Sequence, residues 1–168
     1  FLFLFDIDGT ILRLKQYRSK QIFRKALAEL FNFDVSESEM PNFSGMTDLQ
    51  ILQDICKIAD YPFSKIEDRI NELWSNLILK FDTEIIRDNI VLLPSVDTMI
   101  NDLQKLEHTK LALVTGNFRD NAYLKLDAYN LSKYFPVGAF GCDFADRNKL
   151  PKLAIQRANS YWSANFSN

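Results

Sequence analysis

The chain opens on five unbroken apolar residues, Phe1-Leu2-Phe3-Leu4-Phe5, which run straight into Asp6-Ile7-Asp8-Gly9-Thr10. A half-exposed strand would alternate, so the uninterrupted run predicts a strand covered on both faces, as in a parallel sheet flanked by helices. The period then changes. Ile22, Phe23, Ala26, Leu27, Leu30 and Phe31 recur at helical spacing, and the polar stretch from Ser36 to Gly45, interrupted by Pro41, reads as a loop. Thr47-Asp48-Leu49-Gln50 and Ser64-Lys65-Ile66-Glu67 have the form of capping boxes. They lead into two further helices, one presenting Ile51, Leu52, Ile55 and Ile58, the other Ile66, Ile70, Leu73, Trp74 and Leu77. Residues 16–82 therefore predict helices and no clear strand.

Beyond Ile90-Val91-Leu92-Leu93-Pro94, a helix starting near Ser95 presents Val96, Met99, Ile100, Leu103 and Leu106. Lys110 to Val114, followed by Thr115-Gly116-Asn117, then repeats the opening design of an apolar strand ending in small polar residues. A helix with Tyr123, Leu124 and Leu126 among its apolar positions follows. Val137 to Gly141 is a short third strand, and Leu150 to Ala158 a last helix. This order predicts an α/β fold with parallel strands, its core drawn from residues 1–15 and 83–168 and interrupted by a helical insertion over 16–82.

At 168 residues and 47% hydrophobic, the chain suits one domain carrying a small insertion. No apolar run approaches the ~20 residues that span a bilayer, and a net charge of -2 gives no broad attraction to nucleic acid. One stretch departs from that balance. Between Gly9 and Ala28 lie Arg13, Lys15, Arg18, Lys20, Arg24 and Lys25 with no acid after Asp8, either a solvated helix face or a positive rim drawing an anion toward the carboxylates. Cys56 and Cys142 have no metal-ligand spacing and read as buried thiols in a reducing, cytoplasmic setting. The missing initiator Met reads as a trimmed chain.

The candidate chemistry sits at the end of the first strand. Side chains two apart in extended backbone point the same way, so Asp6 and Asp8 aim at one spot beyond a strand's carboxyl end, where ligands of such sheets gather. Two carboxylates that close imply a divalent metal, a raised pKa on one acid, or both. On these residues alone a plain Asp-Gly turn is the alternative. A calcium loop opening at Asp6 is excluded, since it would need Asp or Asn at position 10 and Glu at position 17, where the chain has Thr10 and Tyr17. With His108 the single histidine, HExxH zinc and Ser-His-Asp chemistries have no support, and no P-loop or GxGxxG string occurs.

Asp6-Ile7-Asp8-Gly9-Thr10 after an apolar strand resembles the first signature of the haloacid dehalogenase-like (HAD) hydrolases. The resemblance implies a Rossmann-like core with a helical cap inserted after the first strand. It also implies a nucleophile at Asp6 that takes the phosphoryl group and an acid/base at Asp8. Thr115-Gly116-Asn117 matches the second motif, which binds phosphate, and the loop Asp143 to Lys152 offers Arg147, with Lys149 second, for the basic third motif. Magnesium is the implied cofactor, held by Asp6 and Asp8, the latter through its backbone carbonyl. No acid follows Asp146, so the family's acidic fourth motif is absent and the C-terminal part of the core is expected to be missing, leaving the first strand as an exposed apolar edge. Ser44-Gly45-Met46-Thr47-Asp48 resembles a cap segment of the phosphoglycolate phosphatase branch. The resemblance thus implies a Mg2+-dependent phosphatase for a small phosphorylated metabolite. A phosphomutase or other HAD hydrolase, or a non-catalytic binding protein keeping the fold, is the alternative.

Overall fold

The computed structural model describes residues 1–16, 18–84 and 89–167. Tyr17, inside the expected insertion, and residues 85–88, at its expected return to the core, lie outside the described residues. The main sheet has three parallel strands in the order β1 (Leu2–Phe5), β4 (Lys110–Val114), β5 (Gly138–Ala139). Leu2 pairs with Lys110 and Phe5 with Leu113, which sets the ends of β1 and β4 side by side. The helices α5 (Val96–Lys105), α6 (Arg119–Asp127) and α7 (Leu150–Trp162) belong to this part of the chain, and α7 packs on β4 and β5.

β1 lies at the sheet edge. Phe5 is buried, but Phe3 is 39% exposed and Phe1 83%, so the expected cover on both faces holds only at the carboxyl end of the strand. The structure also contains a two-stranded ribbon that the hydrophobic pattern does not announce. β2 (Leu12–Leu14) pairs antiparallel with β3 (Ile90–Leu92), and Leu93 N–H donates to the Ile11 carbonyl, so the chain leaves for the helices and returns side by side.

Between those two strands run α1 (Ser19–Phe31), α2 (Asp48–Ile58), the single turn α3 (Ser64–Glu67) and α4 (Ile70–Glu84). Thr47 caps α2 as its sequence predicts, its hydroxyl oxygen accepting from Gln50 N–H at 3.1 Å. The second expected box does not form. Phe63 holds the N-cap position without a side-chain bond, Ser64 is already helical, and the helix breaks before restarting at Ile70. α1 packs along α4, and α4 reaches the sheet side: the Trp74 ring stacks on Phe118 at 4.9 Å between centroids, and Phe81 lies tilted against the same ring at 6.1 Å. One continuous apolar cluster, from Phe5, Ile7 and Leu113 through Phe118 to Leu52, Leu73 and Leu77, therefore joins the helical segment to the sheet. The cysteines are free, Cys56 buried and Cys142 half-buried.

Candidate active site

The chain turns sharply past β1. Ile7 is fully buried, its carbonyl accepts the N–H groups of Thr10, Ile11 and Leu12, and Gly9 takes φ +80°, where a side chain would be strained. With Ile7 directed into the core, Asp6 and Asp8 both line one cleft of about 600 Å3. Thr115, Gly116 and Asn117 from the end of β4, Arg147 from the loop before α7, and Asn42 to Met46 with Asp48 and Ile51 from the helical segment complete the lining. Two strand ends, a loop and the inserted segment thus converge on the spot where the alternation of β1 aims its acids.

Each acid already holds a cation. Asp6 Oδ2 accepts from an Arg147 terminal nitrogen at 2.5 Å and Oδ1 from Ile7 N–H at 2.8 Å. Arg147 opens a 3-10 turn (Arg147–Lys149) capped by Asp146, whose Oδ1 accepts from Asn148 N–H at 3.0 Å. Lys149 does not join the site. Its ammonium lies over the Phe144 ring, 5.8 Å from the centroid, and it is not among the residues lining the cleft. In a turn of three residues, side chains two positions apart point in different directions, so one residue of the pair faces the acids. The basic run after Asp8 does not line the cleft either: Arg24 pairs with Asp34, and Lys20 donates to the carbonyls of Glu37 and Met40, which favours the solvated face.

Asp8 carries the denser network, and it contains a residue that the sequence reading overlooks. Lys125, on the second turn of α6 and 2% exposed, donates to Asp8 Oδ1 at 2.9 Å and Oδ2 at 2.8 Å and to Asn117 Oδ1 at 2.7 Å. Asn117 Nδ2 donates to Asp8 Oδ2 at 2.7 Å and to Thr115 Oγ1 at 2.8 Å, tying the end of β1 to the end of β4. Burial, the largest single influence, would push the Asp8 carboxyl up, but the charge and hydrogen bonds of Lys125, the Asn117 bond and the charge of Arg147 together outweigh it. Asp8 is thereby held below the ordinary carboxylate value. A lysine mid-helix reads as solvated. What could have revealed it is the spacing of four between Asn121 and Lys125 on one face of α6, in line with Asn117 in the turn just before the helix.

The segment entering α2 is laid across the Thr115-Gly116-Asn117 turn. Asp48 N–H donates to the Gly116 carbonyl at 2.8 Å, Leu49 N–H to the Gly141 carbonyl at 3.0 Å, and the Thr47 hydroxyl to the Ala145 carbonyl at 2.8 Å. Asp48 Oδ2 in turn accepts from Phe118 N–H at 2.7 Å, at the start of α6. Burial pushes the Asp48 carboxyl up to about 7 against the Phe118 bond and the Lys125 charge, and the charge of Asp8 pushes the same way as burial.

Magnesium, the cofactor implied by the resemblance, finds only part of a site in these residues. Asp6 and Asp8 are oxygen donors of the hard type it prefers. The Asp6 carboxylate, however, already accepts from Arg147, Asp8 would contribute only its backbone carbonyl, and no group of three or more acidic, histidine or cysteine side chains that could hold a metal occurs among the described residues.

A model of the family described as haloacid dehalogenase-like hydrolase matches residues 3–155. No curated protein matches the sequence. Among solved structures, the fold is similar to that of a Bacteroides fragilis protein described as a haloacid dehalogenase-like hydrolase, with TM-score 0.60 and 16% identity over 98% of this chain and 73% of that one. A Clostridium acetobutylicum protein described as a predicted phosphatase gives TM-score 0.62 and 16% identity over 94% of this chain and 70% of that one. A Lactobacillus plantarum protein described as a phosphoglycolate phosphatase gives 0.53 and 17% over 99% and 73%. At these identities the structures share the fold, while the family model covers the opening acids, the Thr-Gly-Asn turn and the Arg147 loop together. The chain belongs to the haloacid dehalogenase-like hydrolases.

Proposed function

We propose that the chain hydrolyses a small phosphate monoester through a phosphoryl group carried on Asp6. The observation behind this reading is the meeting in one cleft of two carboxylates, a Thr-Gly-Asn turn and an arginine that sits on the first carboxylate. Phosphoryl transfer asks a protein chiefly for positioning and charge compensation. In this reading an Asp6 carboxylate oxygen attacks phosphorus as the bond to the ester oxygen breaks, and the leaving oxygen takes a proton from Asp8. The Asp8 carboxylate then accepts a proton from the water that attacks the phosphorus of the acyl phosphate, freeing Asp6 and inorganic phosphate. Asp8 must first gain a proton, and a phosphate dianion beside it favours that form by repulsion.

Thr115, Gly116 and Asn117 bind the phosphoryl oxygens in this scheme, and Arg147 offsets their charge. Mg2+ is the proposed cofactor; Asp6 and Asp8 would hold it, and bound there it would supply further charge compensation. Residues 16–82 act as a cap whose loop from Asn42 to Met46 contacts the non-phosphate part of the substrate. Ser44-Gly45-Met46-Thr47-Asp48 resembles the cap segment of the phosphoglycolate phosphatase branch, and the lining of the cleft by Ser44, Gly45, Met46 and Asp48 favours a phosphoglycolate-like substrate on that ground. The reading is tested by turnover of p-nitrophenyl phosphate with Mg2+, beside Asp6→Asn. Metal-dependent turnover that disappears in the variant supports it, and turnover unaffected by the substitution rejects the nucleophile.

A further inference from the structure

We propose that Lys125 is a positioning residue that fixes the Asp8 carboxylate for proton transfer; this rests on the reading of Asp8 as the acid/base. Lysine is almost never fully buried unless it is paired, and Lys125 is 2% exposed. Its bonds to both oxygens of Asp8 and to Asn117 Oδ1 place three acceptors around one ammonium. The carboxylate is held at two points by Lys125 and at a third by Asn117 Nδ2, so it cannot rotate without breaking charge-assisted bonds. Asp6 is fixed by a separate pair of donors, Ile7 N–H and Arg147. The two acids are therefore oriented independently, and removal of Lys125 loosens the proton donor while leaving the bonds to the nucleophile intact.

That separation gives a readout which a merely structural role would not move. A p-nitrophenolate departs with little help from a proton, whereas an alkoxide needs one, and a positioned general acid is worth about 10²–10⁴-fold in rate. The experiment measures kcat and KM of the parent and Lys125→Met on p-nitrophenyl phosphate and on a simple alkyl phosphate, below the melting temperature of both proteins. The expected result is a fall in kcat at least about tenfold larger for the alkyl ester than for the aryl ester, with KM little changed, and the same profile in Asp8→Asn. Adding Lys125→Met to Asp8→Asn should cost nothing more, because both act through one group. Equal losses on the two esters, or additive losses in the double variant, overturn the assignment. If Lys125→Met does not fold, Lys125→Gln, which keeps an N–H donor without the charge, carries the same comparison. A parent that hydrolyses neither ester defeats the phosphatase reading, and the proposal falls with it.

Discussion

Gly141→Ala puts the junction between the segment entering α2 and the Thr115-Gly116-Asn117 turn to a severe test. A Cβ at position 141 would lie 1.7 Å from the Gly116 carbonyl oxygen, 2.5 Å from its carbon and 2.8 Å from Asp48 N, all backbone atoms that no rotamer change can move aside. Restoring even a 3.0 Å contact requires the backbones to separate by about 1.3 Å. An opening of that size stretches the bonds from Gly141 N–H to the Asn117 carbonyl (2.7 Å), from Leu49 N–H to Gly141 (3.0 Å) and from Asp48 N–H to Gly116 (2.8 Å). With about 1 kcal/mol net for each of the three bonds and 1–3 kcal/mol for overpacking, the destabilisation comes to roughly 4–6 kcal/mol. At about 2–4 °C per kcal/mol for a chain of this size, Tm should fall by roughly 10–20 °C. Gly116 moves with the opening, so kcat/KM on p-nitrophenyl phosphate should drop as well, by up to roughly 100-fold at a temperature where both proteins are folded. The assay pairs thermal melts followed by circular dichroism with steady-state kinetics. A variant melting within about 2 °C of the parent, with unchanged kinetics, would refute the close approach on which this reasoning stands.

Asp48 makes a pH-dependent contribution of unusual sign. Its folded-state pKa of about 7 lies above the ordinary 3.8, so the folded protein binds the proton more tightly and stability from this group is full below about 3.8 and lost as pH rises toward 7. Asp48→Asn, which keeps an acceptor for Phe118 N–H, should gain stability over the parent between pH 5 and 8 by on the order of 2 kcal/mol in urea melts; a difference constant with pH contradicts the shift. Arg147→Met should lower kcat/KM by roughly 10- to 100-fold while Lys149→Met changes it by less than about twofold, and equal effects would deny Arg147 its place on Asp6. Chelation with EDTA should abolish turnover and added Mg2+ restore it; turnover indifferent to the chelator removes Mg2+ from the account.

What the hydrophobic pattern makes readable is whatever depends on local period and chain order. Phe1 to Asp8 announces a strand ending in acids, Lys110 to Asn117 repeats the device, and helices between them call for a parallel pair, as Phe5 opposite Leu113 shows. The β2–β3 ribbon escapes this logic, since Leu12-Arg13-Leu14 is too short to show a period and its partners lie far along the chain. The failed box at Ser64 shows the opposite limit: the residues are right, yet Phe63 holds the N-cap position. At the site, Asp6, Asp8, Thr115, Gly116, Asn117 and Arg147 are identified by type and order and do meet in one cleft. Lys125 and Asp48 are different in kind. Their part depends on burial and on partners over 65 residues away, Asp8 for the lysine and Phe118 for the aspartate, which no local string specifies.

Transient phosphorylation of Asp6 is the step from which every other proposed role follows. Full-length protein mixed with p-nitrophenyl phosphate and Mg2+, quenched in acid within the first turnover and measured by intact-protein and peptide mass spectrometry, reports this directly. The predicted result is one added phosphoryl group on the peptide that carries Asp6, removed by hydroxylamine and absent in Asp6→Asn. Product released in that turnover with no phosphorylated protein at any quench time, or a phosphoryl group that persists on Asp6→Asn, would contradict it.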